Sequence, residues 1–554
     1  MSELAKPKRF FTDRRGFLLG SAACATLALL SGCKKGGTDS GAVVSGGTLK
    51  WAINNPKCID PYNISENNGT QVTYQLFDSL VSYDFKKKEL VPLAAEKWES
   101  DDDAKEFIFH LHKNATFHNG EKVTSQAFKR GWERMVDPTT MDNPSEVSYH
   151  LAMVQGYEDV LNGKAKHLSG ITCPDDYTLV VKLNDSFADF PYVASHPALV
   201  PVPQAAFDDP KTYYIAPIGN GPFMMDGKWA DGQYINLKRY DKYYGKDSYI
   251  DKINFNIQKD VETSYKEFQA GNIDVCDIPT PSIKEAQEQY GVSSDGYTIK
   301  PGEQCLFGEQ PSVYYLALNN EVEGLDDPNL RRAMSLAINR KAICETLFMG
   351  TREPADNIVP PTILGYEKDG WKYAHYDKDA ALAILDKYYP EKNGSRGLEF
   401  TLTYNQDGGH KEIMQLVSAD LKAVGINVKS ELVEWASYLD RLQAGKYQMG
   451  RLGWNADYPI MFNFLYPLFY TGVGDNRSQY SNKEVDKLIN EACTTVDDSK
   501  RTDIFNEANT IIGEDCPVIP LMFYKLSMVG SKTIKTCYVQ PDGNCAMDTV
   551  QLNG

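Results

Sequence analysis

Histidine is scarce in this chain, eight among 554 residues, and no two cysteines stand at C-x-x-C spacing. A cysteine–histidine zinc site of the finger type is therefore excluded. His110 and His112 alternate with Phe109 and Leu111, with His118 beyond. A strand that turns its apolar residues inward turns both histidines out, and no metal is expected. The nucleophile-elbow pattern G-x-S-x-G, the zinc-protease pattern H-E-x-x-H and a phosphate-cradling loop are also missing. The run 156–164 has the wrong spacing for such a loop and is followed by Ala165 where Ser or Thr is required. These absences speak against an enzyme and against a cofactor. Positive charge is lacking too: 58 Lys and Arg against 75 Asp and Glu leave a net charge of −17. That balance disfavours nucleic acid and anionic membrane surfaces as partners. No apolar run reaches the roughly 20 residues of a membrane-spanning helix.

What is present starts with Lys6, Lys8, Arg9, Arg14 and Arg15, followed by the uncharged, mostly apolar residues 16–32. This is the layout of a secretory signal peptide over residues 1–32. Thr12-Asp13-Arg14-Arg15-Gly16-Phe17-Leu18 resembles the twin-arginine signal; an ordinary Sec signal is the other reading. Leu30-Ser31-Gly32-Cys33 resembles the bacterial lipobox, in which the thiol of Cys33 takes a diacylglycerol. Residues 33–47 then form a flexible tether behind a lipid anchor. Residues 1–32 carry five basic and two acidic side chains, so their removal takes the net charge from −17 to −20. An extracytoplasmic protein is expected, held by lipid at the outer face of the cytoplasmic membrane or in the periplasm.

Nine cysteines lie beyond Cys33, an odd number. Cys537 and Cys545 flank the turn Pro541-Asp542-Gly543-Asn544, and a hairpin disulfide between them is one reading, small core thiols the other. Along the rest of the chain strand and helix patterns alternate, without repeats. Phe107, Phe109 and Leu111 mark one strand, and Tyr177, Leu179, Val181 and Leu183 another. Asp327 before Pro328 starts a helix with inner face Leu330, Ala333, Met334, Ala337, Ile343 and Leu347, ended by Gly350. From Leu398 the pattern reads β-α-β-α-β, and the loop after its last strand, residues 454–459, is where such sheets present ligand-facing groups.

An ordered set of short motifs then carries a family resemblance. Gly46-Gly47-Thr48-Leu49, Ile59-Asp60-Pro61, Leu76-Phe77-Asp78-Ser79-Leu80 and Pro92-Leu93-Ala94-Ala95-Glu96-Lys97-Trp98 open it. Residues 107–120, Trp132-Glu133-Arg134, Gly219-Asn220-Gly221-Pro222-Phe223 and residues 268–274 continue it. Residues 329–340, Gly453-Trp454-Asn455-Ala456-Asp457-Tyr458-Pro459 and residues 517–521 complete it. Nearly all of the chain beyond the tether thus resembles the extracytoplasmic oligopeptide-binding proteins, the family 5 solute-binding components of peptide importers.

The resemblance implies an α/β, two-lobed periplasmic-binding-protein-like fold of the large three-domain class II type, with a hinge and a central ligand cleft. Residues 46–68, 205–305 and 525–554 would form lobe I, residues 69–204 an extra domain set into it, and residues 306–524 lobe II. It implies a monomeric receptor that binds short peptides and passes them to the permease and ATPase subunits of an ABC importer. Haem, a nickel chelate or a sugar are the other ligands of this scaffold, and a peptide-signal receptor would bind the same ligand without importing it.

A peptide's ammonium end needs a carboxylate and its carboxylate end needs cationic donors. Asp457 matches the family's amine-binding aspartate in W-x-A-D-Y, with Trp454 and Tyr458 beside it to exclude water. Arg451 matches a family arginine near the ligand, its alternative being a solvent-facing side chain. His410 stands at the spacing of a family histidine that meets longer peptides, or is an ordinary helix-opening residue, with Lys411 as a substitute cation. A second family arginine is Leu442 here, and the neighbouring Arg441 would face elsewhere. Asn55-Pro56-Lys57-Cys58 resembles the segment that pairs with peptide backbone, although Pro56 has no N–H to offer. Tyr149 and Asn220 are further lining candidates.

Overall fold

The computed structural model describes residues 46–553 apart from 142–144, 406–409, 434 and 474. The signal, lipobox and Cys33 readings, and all but the last residues of the tether, fall outside the described residues. Two large sheets form two lobes. The first has seven strands in the order Cys305–Leu306, Met528–Gly530, Val275–Asp277, Thr48–Ile53, Lys252–Ile257, Tyr234–Arg239 and Phe223–Met225. Its central pair is parallel, Thr48 opposite Lys252 and Ile53 opposite Ile257. Leu49, Trp51 and Ile53 point into the core while Thr48 and Lys50 are exposed, the period-2 pattern of a half-buried strand.

The second sheet has six strands in the order Glu353–Pro354, Val518–Lys525, Glu309–Leu318, Met449–Asn455, Leu398–Asn405 and Ile426–Val433. The β-α-β-α-β reading is realised here: Leu398–Asn405 pairs in parallel with both Ile426–Val433 and Met449–Asn455. Gly425 ends the first covering helix with φ +86°, a conformation that favours glycine. The helix expected from Asp327 to Gly350 is instead two helices, Pro328–Ala337 and Arg340–Phe348. Ile338 turns extended, Asn339 donates its N–H to Asp420, and the Asn339 side chain caps the second helix at the Ala342 N–H.

A four-stranded antiparallel sheet, Ala95–Ser100, Glu106–Leu111, Thr178–Lys182 and Ile171–Asp175, is backed by helix Ser125–Val136. His110 and His112 face outward from it, toward Glu99 and Glu96. This layer shares one continuous core with the six-stranded sheet. Phe187 packs on Phe462 with ring centroids 4.8 Å apart, and Asp189 meets Arg501 at 3.0 Å in a nearly buried pair.

The chain passes between the two large sheets at two places, residues 307–308 and 526–527. These connections lie side by side, the Leu526 N–H donating to the Gly308 carbonyl at 2.8 Å. A Cβ on Gly308 would stand 2.2 Å from the Tyr297 ring, so any larger residue there has to displace that ring. No helix among the described residues is long and apolar enough to cross a membrane. Near the C-terminus Cys537 and Cys545 are both buried thiols with sulfurs 3.6 Å apart. The turn between them is present, with Gly543 at φ +87°, but Ile534–Tyr538 pairs with Gln551–Leu552 and Thr298–Ile299 and makes no hairpin through Cys545.

The start of the first lobe is tied to the four-stranded layer by a fully buried ion pair. Arg134 donates from both terminal nitrogens to the two carboxylate oxygens of Asp60, each at 2.7 Å. Removing one partner of such a pair strands the other charge and costs about 3–5 kcal/mol, whereas replacing both by apolar groups of similar size is often close to neutral. Arg134→Met should therefore lower unfolding free energy by about that amount in urea titration, and the double variant Asp60→Leu/Arg134→Met should recover most of it.

Candidate functional site

The loop after strand Met449–Asn455 carries Asp457 into a cleft of about 740 Å³, open to solvent, whose wall includes Asn67, Tyr83, His196, Asn455, Asp457 and Asp542. The loop is fastened from helix Phe462–Phe469. Trp454 donates its indole N–H to the Asn463 carbonyl at 2.7 Å, and the Asp457 N–H donates to Asn463 Oδ1 at 2.9 Å. Asn463 Nδ2 returns a bond to Asp457 Oδ2 at 3.1 Å, and the Tyr149 hydroxyl reaches the same oxygen at 3.5 Å. No cation lies within ion-pair distance of Asp457 among the described residues. Tyr458 is buried behind it, its ring edge toward His150. Asp475 stands nearby, paired with Arg477 at 3.0 Å; burial, with Asp457 beside it, raises its carboxyl.

A cationic cluster lies further back on the same strand. The Arg451 guanidinium sits over the Tyr314 ring, 4.8 Å from its centroid, with weak bonds to Tyr524 Oη (3.3 Å) and Asn405 Oδ1 (3.5 Å). Its Nε is buried without a partner among the described residues. Arg352 lies over the Phe348 and Tyr524 rings, 4.3 and 4.6 Å from their centroids. Neither arginine has a carboxylate at ion-pair distance among the described residues. His410 is bonded through Nδ1 to the Tyr314 hydroxyl at 3.1 Å, and burial, reinforced by Arg451 and Arg352, pushes its pKa down to about 3. It is neutral at ordinary pH, so it presents a hydrogen bond and not a charge.

Asp457, Trp454, Tyr458 and Tyr149 are thus brought together, and Arg451 joins His410. Lys411 is exposed on the helix. The Pro56–Cys58 stretch presents no free ladder: the Lys57 N–H donates to Glu66, the Lys57 carbonyl accepts from Tyr214, its ammonium pairs with Glu146, and the Cys58 thiol is buried against the Asp60 carbonyl. Arg441 is taken by Glu431 at 2.7 Å. Asn463, Arg352, Asp475, His150 and His196 were not singled out from the sequence. They come from segments far apart in the chain, and no local motif marks them.

Asn220 does not line the cleft. It is fully buried and brackets Asp78, accepting from the Asp78 N–H and donating to its carbonyl. This joint is tight: a Cβ on Gly219 would stand 1.8 Å from the Leu76 carbonyl, and His118 bonds both the Gly219 N–H and the Gly221 carbonyl. Burial pushes the Asp78 carboxyl up to about 7 even though Tyr244 and Tyr243 both donate to it. The folded chain then holds this proton to higher pH than the unfolded chain, whose carboxyl titrates near 4. Stability from this group falls as pH rises from about 4 to 7, by on the order of 4 kcal/mol, and stays low above. Asp78→Asn should flatten that part of the profile, read as the wild-type-minus-variant difference in urea midpoint between pH 5 and pH 8.

Comparison with known proteins places the chain. The model of bacterial extracellular solute-binding proteins, family 5, matches residues 89–476. The dipeptide-binding protein DppE of Bacillus subtilis is 28% identical over 501 residues, 88% of this chain and 89% of that one. The oligopeptide-binding protein OppA of the same organism is 28% identical over 527 residues, 92% and 94% of the two chains. The crystal structure of Haemophilus influenzae OppA in complex with RPPGFSPFR superposes with a TM-score of 0.74 at 25% identity, covering 92% of this chain and 100% of that one. Two lobes, the cleft between them and these matches lead to one conclusion: the chain belongs to the bacterial extracellular solute-binding proteins of family 5.

Proposed function

We propose that this protein is a lipid-anchored, monomeric extracytoplasmic receptor that captures short peptides and delivers them to the permease and ATPase subunits of an ABC importer. One observation carries the reading: among the described residues, Asp457 in the loop that follows the strand has no cation at ion-pair distance, and Arg451 on that strand and Arg352 have no carboxylate at that distance. A zwitterionic peptide neutralises both, its ammonium on Asp457 and its carboxylate toward the arginines. Arg451 and Asp457 are six residues apart, so their Cα atoms are at most about 20 Å from one another, the span of roughly six extended residues.

Residues 306–524 and the rest would open and close about the paired connections at 307–308 and 526–527 to admit and release the ligand. The Cys33 lipid and the tether through residue 47 would keep the receptor beside its importer. Mass spectrometry of ligand released on denaturation should give a mixture of short peptides; haem or a metal chelate alone would overturn the reading. Asp457→Asn should weaken peptide binding in calorimetry by about 2–5 kcal/mol, the loss expected when one side of a desolvated charge pair is removed. N-acetylated peptides should bind wild type and variant equally weakly, and unchanged affinity for free peptides would remove Asp457 from the site.

A further inference from the structure

Behind Asp457 lies a group of side chains that the peptide reading does not use. His150, His196 and Asp457 each present one ligand-type atom, and the three atoms lie within 4.8 Å of one another. His150 is 2% exposed, and neither of its ring nitrogens has a hydrogen-bond partner among the described residues. A buried imidazole without any partner is rare, because each unsatisfied polar atom forfeits its hydration. Packing does not account for it, since a phenyl ring would fill the same space without that loss. The His150 ring lies against His196 with centroids 4.2 Å apart, and His196 together with Asp457 lines the cleft.

The remaining contacts leave ligand positions available. Both bonds to the Asp457 carboxylate, from Asn463 Nδ2 and the Tyr149 hydroxyl, fall on Oδ2, so Oδ1 carries none among the described residues. The Ala198 N–H donates to His196 Nδ1 at 3.1 Å, which leaves Nε2 as the other ring nitrogen.

We propose that His150, His196 and Asp457 form a binding site for a divalent transition metal of the zinc class, three protein ligands with the remaining coordination positions open to the cleft. Two imidazoles and one carboxylate suit zinc and its neighbours and not calcium or magnesium. Metal–ligand distances of about 2.0–2.2 Å set the donors roughly 3.3 Å apart, so binding draws them together by about 1.5 Å at most. Ligation through His196 Nε2 moves that ring's proton to Nδ1, so the bond from the Ala198 N–H opens as the metal enters. The site stands independently of the peptide reading, but the two share Asp457. A bound metal and a peptide ammonium therefore compete for it, unless the peptide reaches the metal through an unprotonated amine.

The test uses the mature chain cleared with chelator and titrated with Zn2+ alone, without peptide. One equivalent should bind, and His150→Phe and Asp457→Asn should each weaken it by roughly a hundredfold or more; removal of even an outer-shell partner typically loses 10–100-fold. Absence of stoichiometric binding, or wild-type affinity in both variants, overturns the proposal. If His150→Phe fails to fold, as a thermal melt would show, His196→Gln at the cleft wall takes its place. Co2+ added to the wild type should give the intense visible absorption of a low-coordinate nitrogen–oxygen site, and the weak spectrum of the solvated ion would overturn the proposal as well. Peptide affinity measured in chelator tests the other reading separately.

Discussion

An ionised group withdrawn from water needs partners, and whether those partners cancel its charge separates two parts of this structure. Asp60 and Arg134 meet an opposite charge inside the protein, bidentate and out of solvent, and so fix the first lobe to its inserted layer. Asp457 and Arg451 meet none among the described residues. Each is held by neutral or aromatic neighbours that fix its position without cancelling its charge. The scaffold around them is what makes that tolerable: Asn463 grips the loop through backbone and side chain, and tyrosine rings cover the arginines.

Much of the scaffold could be read from residue order. Alternation at Phe107, Phe109 and Leu111 gave a strand because one face of that sheet is wet and the other packs on helix Ser125–Val136. The pattern from Leu398 gave the parallel core of the second lobe, because helix and strand periods differ enough to be separated along the chain. The Asp327 cap was correct, yet the helix behind it broke at Asn339. There a distant carboxylate, Asp420, and a local cap outcompeted apolar spacing that would have suited one continuous helix.

The site was legible only in part. Asp457, Trp454 and Tyr458 sit in one motif, so a single stretch of sequence announces them. Arg352, Asn463 and the two buried histidines become neighbours only through tertiary folding, and nothing local distinguishes them from other residues of their type. Asn220 shows the opposite error. Its glycine-flanked motif is distinctive because the backbone passes within contact of Leu76, a demand of packing and not of ligand.

The two adjoining connections at Gly308 and Leu526 give the clamp, in effect, a single axis. Under the proposed closure, a substitution near that axis would shift the share of molecules poised to close and leave the contacts in the cleft untouched. The apparent dissociation constant scales with that share in the same way for all ligands. Overall avidity and the ranking among ligands would then be governed by different parts of the polypeptide, so a lineage could retune the protein to scarcer or richer surroundings without altering what it selects.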